Sequence, residues 1–283
     1  MAPRSVNQAK NTPARPRGSR KSRPELSRRA GHPRARRRLI FALDVASLKE
    51  VDHYVTLLAD EVGLFKVGKQ LFVHAGPEVV RRIHAKGGAV FLDLKFHDIP
   101  QTVASASAEA ARLGVKMFTL HASGGTDMLR QAHRAVRTVC RAEQLAPPTL
   151  LAVTVLTSLG RDDLKQVGVS AGPATQVVRL ARLAQQAGIE GLVASPREIT
   201  AVRRACGDKL TLVIPGVRPQ GSTADDQKRV LTPHQAMQAG ANYLVVGRPI
   251  RDAADPRQAA RDIVADMARG PSRRSQAGTH SRQ

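Results

Sequence analysis

The stretch Ala89-Val90-Phe91-Leu92-Asp93-Leu94-Lys95-Phe96-His97-Asp98 joins an apolar run directly to a cluster of charged residues. The run at residues 89–92 is typical of a buried strand, and alternate side chains of a strand point to opposite faces. Asp93 and Lys95 are therefore predicted to share one face. Burying charge is costly unless the charge is paired or used. The cluster thus indicates either a catalytic site at the end of a strand or a simple salt bridge at a strand–loop junction.

The chain around this stretch alternates between short apolar runs and segments with helical spacing. The predicted strands are residues 39–46, 64–67, 89–96, 115–121, 149–156, 191–195, 210–217 and 243–247. The predicted helices are residues 48–60, 77–86, 100–113, 124–142, 173–187, 196–205, 233–239 and 256–268. Strict alternation implies a parallel sheet, and eight repeats in about 230 residues favour an α/β fold of the closed (β/α)8 TIM-barrel type. A dinucleotide-binding fold is excluded because the first strand is followed by Leu43-Asp44-Val45-Ala46-Ser47, which lacks the glycine fingerprint.

A barrel of this type carries its catalytic groups at the C-terminal ends of the strands. Polar residues at or just after the ends of the predicted strands are Asp44, Lys66, Asp93, Lys95, Asp98, His121, Thr157, Ser158, Arg218 and Arg248. A single salt bridge does not explain so many polar residues at one rim, so the catalytic interpretation of residues 93–98 is favoured.

The loops after the seventh and eighth strands of such barrels often bind phosphate. This chain places Arg218 and Gln227 after the seventh strand and Gly247-Arg248 after the eighth. Glycine lets the backbone approach an anion closely, and arginine binds phosphate through two parallel hydrogen bonds. The pattern predicts a phosphorylated small molecule as the ligand.

Positive charge is concentrated at the N-terminus. Residues 1–38 contain 13 Lys/Arg and one acid, Glu25, in a chain of 283 residues with a formal net charge of +22. So polar a segment cannot bury enough surface to offset its ordering entropy. We therefore predict a disordered basic tail at residues 1–37, one barrel domain at 38–269 and a second disordered tail at 270–283. A basic arm is typical of nucleic-acid or anionic-surface binding, its composition also fits a transit peptide, and the simplest alternative is an extension with no specific role.

The composition argues against several other classes of protein. Only two cysteines are present, Cys140 and Cys206, so a disulfide framework is not indicated and a reducing, cytoplasmic compartment is expected. No apolar run approaches the length of about 20 residues that spans a bilayer, and the N-terminus has no hydrophobic signal segment. No Cys/His cluster has zinc-site spacing, and we expect no metal site.

Eight pieces of the chain, spread over about residues 39–268, form a set with recognisable order and spacing. They are Phe41-Ala42-Leu43-Asp44, Phe65-Lys66-Val67-Gly68, Asp93-Leu94-Lys95-Phe96-His97-Asp98-Ile99-Pro100, His121-Ala122-Ser123-Gly124-Gly125, Leu156-Thr157-Ser158, Pro215-Gly216-Val217-Arg218-Pro219, Asp226-Gln227-Lys228-Arg229 and Gly247-Arg248-Pro249-Ile250. Together they resemble the orotidine 5′-phosphate decarboxylase family in its bacterial, free-standing form. The resemblance implies a carboxy-lyase that converts orotidine 5′-monophosphate to UMP and carbon dioxide at the end of UMP synthesis, without a cofactor or a metal.

The resemblance also implies roles for individual residues. Lys95 would protonate C6 of the pyrimidine, Asp93 would lie near the departing carboxylate, and Lys66 would extend the charged network. Asp98 and Thr102 would reach the neighbouring subunit's site, which implies a homodimer. The residues expected to contact substrate are Asp44 and Lys66 at the ribose, Asp93 at the carboxylate, Thr102 from the partner loop, Thr157 and Ser158 at the pyrimidine edge, and Arg218, Gln227, Gly247 and Arg248 at the phosphate.

Two alternatives remain open at this point. A magnesium-dependent sugar-phosphate decarboxylase or aldolase would share the Asp-x-Lys-x-x-Asp strand and the phosphate site, but Leu156-Thr157-Ser158 and the loop at 218–227 favour a pyrimidine nucleotide. A basic nucleic-acid-binding protein is the more distant alternative. Its tail could bind a polyanion, although an aromatic content of 3% offers few stacking platforms. His97 and His121 are expected to pack or hydrogen-bond, because Lys95 already fills the role of acid.

Overall fold

The computed structural model describes residues 32–219 and 231–269. Within them, parallel strands β1 to β8 pair in sequence order and β8 pairs with β1, which closes the barrel. The strands are β1 Leu39–Ala42, β2 Leu64–Gly68, β3 Val90–Phe96, β4 Met117–His121, β5 Thr149–Val153, β6 Gly191–Val193, β7 Thr211–Pro215 and β8 Tyr243–Val246. The predicted (β/α)8 barrel is confirmed.

One short helix precedes β1, and the other helices follow the strands. The helices are α1 Pro33–Arg36, α2 Leu48–Leu58, α3 Lys69–Ala75, α4 Glu78–Ala85, α5 Pro100–Arg112, α6 Gly125–Ala142, α7 Arg161–Gln166, α8 Pro173–Gln186, α9 Ile199–Cys206, α10 Pro233–Gln238, α11 Arg248–Arg251 and α12 Pro256–Met267. Of these, α1, α3, α7 and α11 were not predicted. Each is seven residues or shorter, so it is too short to show a helical repeat in the sequence.

The core has two shells because side chains of each strand alternate between the barrel interior and the helices. The interior shell is formed by Ile40, Ala42, Leu64, Phe91, Met117, Leu151, Val213 and Val245. The outer shell packs strand residues such as Phe41, Phe65, Leu92 and Phe118 against the helices. On β2, β3 and β4, the next inward position lies two residues further along the strand and is polar. It is Lys66 on β2, Asp93 on β3 and Thr119 on β4. The apolar interior therefore forms the floor beneath the polar rim.

The described structure includes residues 32–37, which precede the predicted domain boundary at residue 38. The helix α1 buries Ala35, and Arg36 Nη1 donates to the carbonyl oxygen of Asp60 at 3.1 Å. These contacts anchor a segment whose proline- and arginine-rich composition had placed it in the tail. Residues 1–31 and 270–283 lie outside the described residues, so the tails stay a prediction. No helix in the described part of the chain is both long and apolar enough to cross a membrane.

Candidate active site

The strand β3 is irregular where its charged residues begin. Phe91 pairs with Met117 and Leu92 with Phe118, but the next pair is Phe96 with Leu120, so the register shifts between them. Lys95 has a φ of +55°, which is uncommon for a residue other than glycine. As predicted, the side chains of Asp93 and Lys95 meet, with Lys95 Nζ 2.8 Å from Asp93 Oδ1.

Lys66 of β2 and Asp44, which follows β1, extend this pair. Lys66 Nζ lies 3.0 Å from Asp44 Oδ1 and 4.0 Å from Asp93 Oδ2. The four side chains thus form a chain of alternating charge in the order Asp44, Lys66, Asp93, Lys95. The side chains of Lys66, Asp93 and Lys95 are 13%, 14% and 24% exposed, whereas that of Asp44 is 55% exposed. Solvent and salt therefore screen the inner three charges less than the outer one.

Two adjoining cavities of about 200 and 220 Å³ share the walls formed by Lys66, Asp93 and Lys95. The first opens beside Asp44. The second extends into the barrel, where its other lining residues are Phe91, Val153, Val155, Leu156, Thr157, Val193, Ala194, Val213, Pro215 and Val245. The ammonium groups of two lysines thus face a chamber whose remaining walls are mostly apolar, a setting in which a fixed charge acts strongly on a bound molecule.

The predicted substrate-binding residues divide between the cavity wall and the rim. Thr157 lines the inner cavity, and the adjacent Ser158 is exposed. Gly247 lies against β1, since a Cβ added there would be 3.3 Å from Ala42 Cβ and 3.6 Å from Asp44 Oδ2. Arg248 follows as the first residue of α11 and is exposed.

Two other predicted binding residues belong to the loop after β7. The Arg218 amide donates to the carbonyl oxygen of Leu231 at 3.2 Å, which ties together the two described ends of that loop. Gln227 lies outside the described residues.

Asp98 and Thr102 stand apart from the cavities. Both are exposed, and neither is among the described residues that line the two cavities. Asp98 Oδ1 accepts a hydrogen bond of 2.6 Å from the Ile99 amide, and Ile99 is itself 66% exposed. Thr102 lies in the first turn of α5. The structure therefore does not bring these two residues to the cavities that Lys66, Asp93 and Lys95 line.

His97 and His121 lie close together, with ring centroids 5.2 Å apart. Burial, followed by the charges of His97, Lys69 and Lys95, lowers the pKa of His121 from 6.5 to about 4. His121 is therefore neutral near pH 7, where it has no proton to donate as an imidazolium. The contact between the two rings agrees with the prediction that the histidines pack or hydrogen-bond.

Two residues near the site were not predicted from the sequence. Thr119 is fully buried, and its hydroxyl contacts both Asp93 and the backbone of Lys95. Lys69, the first residue of α3, lines the cavity that opens beside Asp44. In the sequence, the only indication of the role of Thr119 is that it is the one polar residue in the apolar run 117–120. It stands two positions after Met117, which faces inward.

Comparison with known proteins assigns the chain to a family. A model described as "Orotidine 5'-phosphate decarboxylase / HUMPS family" matches residues 37–263. The chain belongs to this family. The description joins two groups of enzymes, so it does not by itself decide between them.

The names of individual relatives in this family are more specific than the description of the family model. A protein of Syntrophotalea carbinolica named orotidine 5′-phosphate decarboxylase is 53% identical over 234 residues, which cover 83% of this chain and 96% of that protein. The protein of the same name from Geobacter sulfurreducens is 52% identical over 236 residues, covering 83% and 98%. The crystal structure of the Lactobacillus acidophilus enzyme of that name superposes with a TM-score of 0.73 at 35% identity, covering 82% of this chain and 99% of that one.

Proposed function

We propose that this chain decarboxylates orotidine 5′-monophosphate to UMP and carbon dioxide, the last step of UMP synthesis, without a cofactor. The observation that carries the proposal is the row of alternating charges formed by the side chains of Asp44, Lys66, Asp93 and Lys95 at the mouth of a largely apolar cavity. The family assignment and the relatives named orotidine 5′-phosphate decarboxylase support the same reaction.

The geometry supports a mechanism in which Lys95 acts as the proton donor. When the bond between C6 and the carboxylate breaks, carbon dioxide leaves and its bonding electron pair stays on C6. The ammonium of Lys95 stabilises that developing charge and then transfers a proton to C6, and the lysine regains a proton from solvent. Asp93 holds Lys95 Nζ at 2.8 Å before the reaction begins, so little reorganisation is needed. Lys66 Nζ lies 4.0 Å from Oδ2, the other carboxylate oxygen of Asp93, and so provides a second positive charge beside that carboxylate.

The remaining parts of the substrate fit the other walls of the site. The apolar inner cavity would take the pyrimidine, with Thr157 and Ser158 at its edge. Asp44, paired with Lys66, would contact the ribose. The phosphate would bind at the loops after β7 and β8, where Arg218, Gln227, Gly247 and Arg248 are the candidates. Because this anchor is remote from C6, its binding energy can be used to orient the reacting carbon.

We further propose a homodimer in which Asp98 and Thr102 complete the neighbouring subunit's site. Three observations support this: Asp98 lies just after the catalytic strand, it does not line its own subunit's cavities, and the adjacent Ile99 exposes apolar surface. The test mixes Lys95→Ala with Asp98→Ala protein after unfolding and refolding them together. In a two-fold dimer, random exchange should restore about a quarter of the wild-type activity. Mixed dimers without activity would show that Asp98 serves its own subunit.

The location and the termini are further proposals. The free, buried thiols of Cys140 and Cys206 fit a reducing compartment, and we place the enzyme in the cytoplasm. We propose that residues 1–31 and 270–283 are tails outside the catalytic domain. A truncation that begins at residue 32 should then retain the full turnover rate.

Turnover of orotidine 5′-monophosphate tests the proposed reaction against the sugar-phosphate alternative. Purified full-length protein is mixed with the nucleotide, with and without EDTA, and UMP is followed by the ultraviolet change and confirmed by chromatography. Conversion that EDTA leaves unchanged supports the decarboxylase. If the folded protein produces no UMP but cleaves a sugar phosphate when magnesium is added, the proposed function is wrong.

A further inference from the structure

The irregular part of β3 faces one residue of β4. Leu92 pairs with Phe118 and Phe96 with Leu120, so Asp93, Leu94 and Lys95 lie opposite Thr119 alone. A regular parallel ladder would supply one residue of β4 for each residue of β3. Between these two pairs, three residues of β3 therefore face a single residue of β4.

The side chain of Thr119 supplies part of what the ladder lacks. The Lys95 amide donates to Thr119 Oγ1 at 2.9 Å, in place of a backbone carbonyl. The Thr119 hydroxyl in turn donates to Asp93 Oδ1 at 3.0 Å. This direction is fixed, because an ionised carboxylate can only accept and a hydroxyl has only one proton. One hydroxyl therefore links the backbone of the proton donor to the carboxylate that holds its ammonium.

Asp93 Oδ1 also accepts the hydrogen bond from Lys95 Nζ at 2.8 Å, so Thr119, Asp93 and Lys95 form a closed ring of contacts. Thr119 has no exposed surface, and no solvent can replace the hydroxyl there without a rearrangement. Lys95 has a φ of +55°, a left-handed conformation that residues other than glycine adopt uncommonly and at some cost in free energy. The hydrogen bond to Thr119 is a contact that supports this conformation.

We propose that Thr119 is a positioning residue, whose hydroxyl fixes the backbone of Lys95 and the carboxylate of Asp93 in the arrangement used for proton transfer. This inference rests on the proposed decarboxylase function. Thr119 itself is buried beneath the charged network and is not required to touch the substrate.

The test compares Thr119→Val, which keeps the shape but removes the hydroxyl, with Thr119→Ser, which keeps the hydroxyl. A small displacement of Lys95 should lower kcat of Thr119→Val by roughly 10- to 100-fold. The affinity for UMP should change by less than about threefold, because the phosphate and ribose contacts are intact. Thr119→Ser should recover most of the wild-type kcat.

A second measurement does not depend on activity. Hydrogen exchange of the Lys95 amide, read by NMR in the folded protein, should accelerate in Thr119→Val and stay slow in Thr119→Ser. If Thr119→Val does not fold, Thr119→Ala provides the same comparison. Unchanged exchange and unchanged kcat in the variant without the hydroxyl would overturn the proposal, as would equal losses in the Ser and Val variants. If wild-type protein makes no UMP, the proposed function fails, while the exchange data still decide whether Thr119 holds Lys95.

Discussion

Asp93 is the carboxylate between two lysines, and neutralising it is the most informative single change. The substitution Asp93→Asn keeps the shape of the side chain. It removes the negative charge that lies 2.8 Å from Lys95 Nζ and 4.0 Å from Lys66 Nζ. One of the two carboxylate oxygens also becomes an NH2 group, which cannot accept from either lysine or from Thr119. Two ammonium groups are then left near each other without the shared counter-charge.

The expected cost follows from the burial of the three side chains. Breaking a buried ion pair by removing one partner typically costs about 3–5 kcal/mol. The three side chains are 13–24% exposed, so solvent relieves part of this penalty and we expect a loss of about 3 kcal/mol. In a domain of this size such a loss lowers Tm by roughly 6–12 °C. Loss of the charge that positions Lys95 should also lower kcat/KM by about 10²- to 10³-fold.

Thermal unfolding without substrate measures the effect on stability, and Asp44→Asn is the matched control. Asp44 contacts the same Lys66 at 3.0 Å, but its side chain is 55% exposed. An exposed pair contributes at most about 1 kcal/mol, so the control should lose less than about 4 °C. Equal Tm values for the two variants would refute the argument that burial makes Asp93 the central charge of the network.

Three further predictions concern the rest of the barrel. His121 has a pKa of about 4 in the folded protein against a reference value of 6.5, so the protein should lose stability as the pH falls from 6.5 toward 4. The substitution His121→Gln should reduce this loss by about 1–2 kcal/mol, after a discount for partial exposure, as measured by urea titrations across that pH range. Gly63→Ala should destabilise by about 3 kcal/mol, because its Cβ would overlap the backbone carbonyl of Arg37, and a urea midpoint equal to wild type would contradict this packing. Arg248→Ala should weaken UMP binding by about 10²-fold through loss of a charge-assisted phosphate contact, while calorimetry with uridine should show no change.

The fold was predictable from the sequence because strands and helices alternate with clear periods. The long helices α6 and α8 have continuous apolar faces and distinct ends, and both were predicted within a residue or two. Short helices such as α7 lie within loops and carry no such repeat. The segment at α1 was assigned to the tail because its charge masked one buried alanine.

The site was predictable where it follows the general geometry of barrels. Lys66 of β2 and Asp93 of β3 lie on neighbouring strands, at the inward positions that follow Leu64 and Phe91, so the regular barrel brings these two side chains together. Thr119 was not predicted, since a threonine within a strand is common for reasons of β propensity. The shift in register at Lys95 could not be predicted either, because a positive φ contradicts the local preference of lysine and is maintained by tertiary contacts.

The turnover of Lys95→Ala tests the central claim most directly. The variant is mixed with orotidine 5′-monophosphate beside wild type and beside Lys86→Ala, a surface lysine whose Nζ contacts Thr56 Oγ1 at 3.1 Å. The account predicts that UMP formation is nearly abolished in Lys95→Ala and unchanged in Lys86→Ala, with UMP still bound by all three proteins. A folded Lys95→Ala protein that forms UMP at a rate near wild type would contradict the assignment of Lys95 as the proton donor.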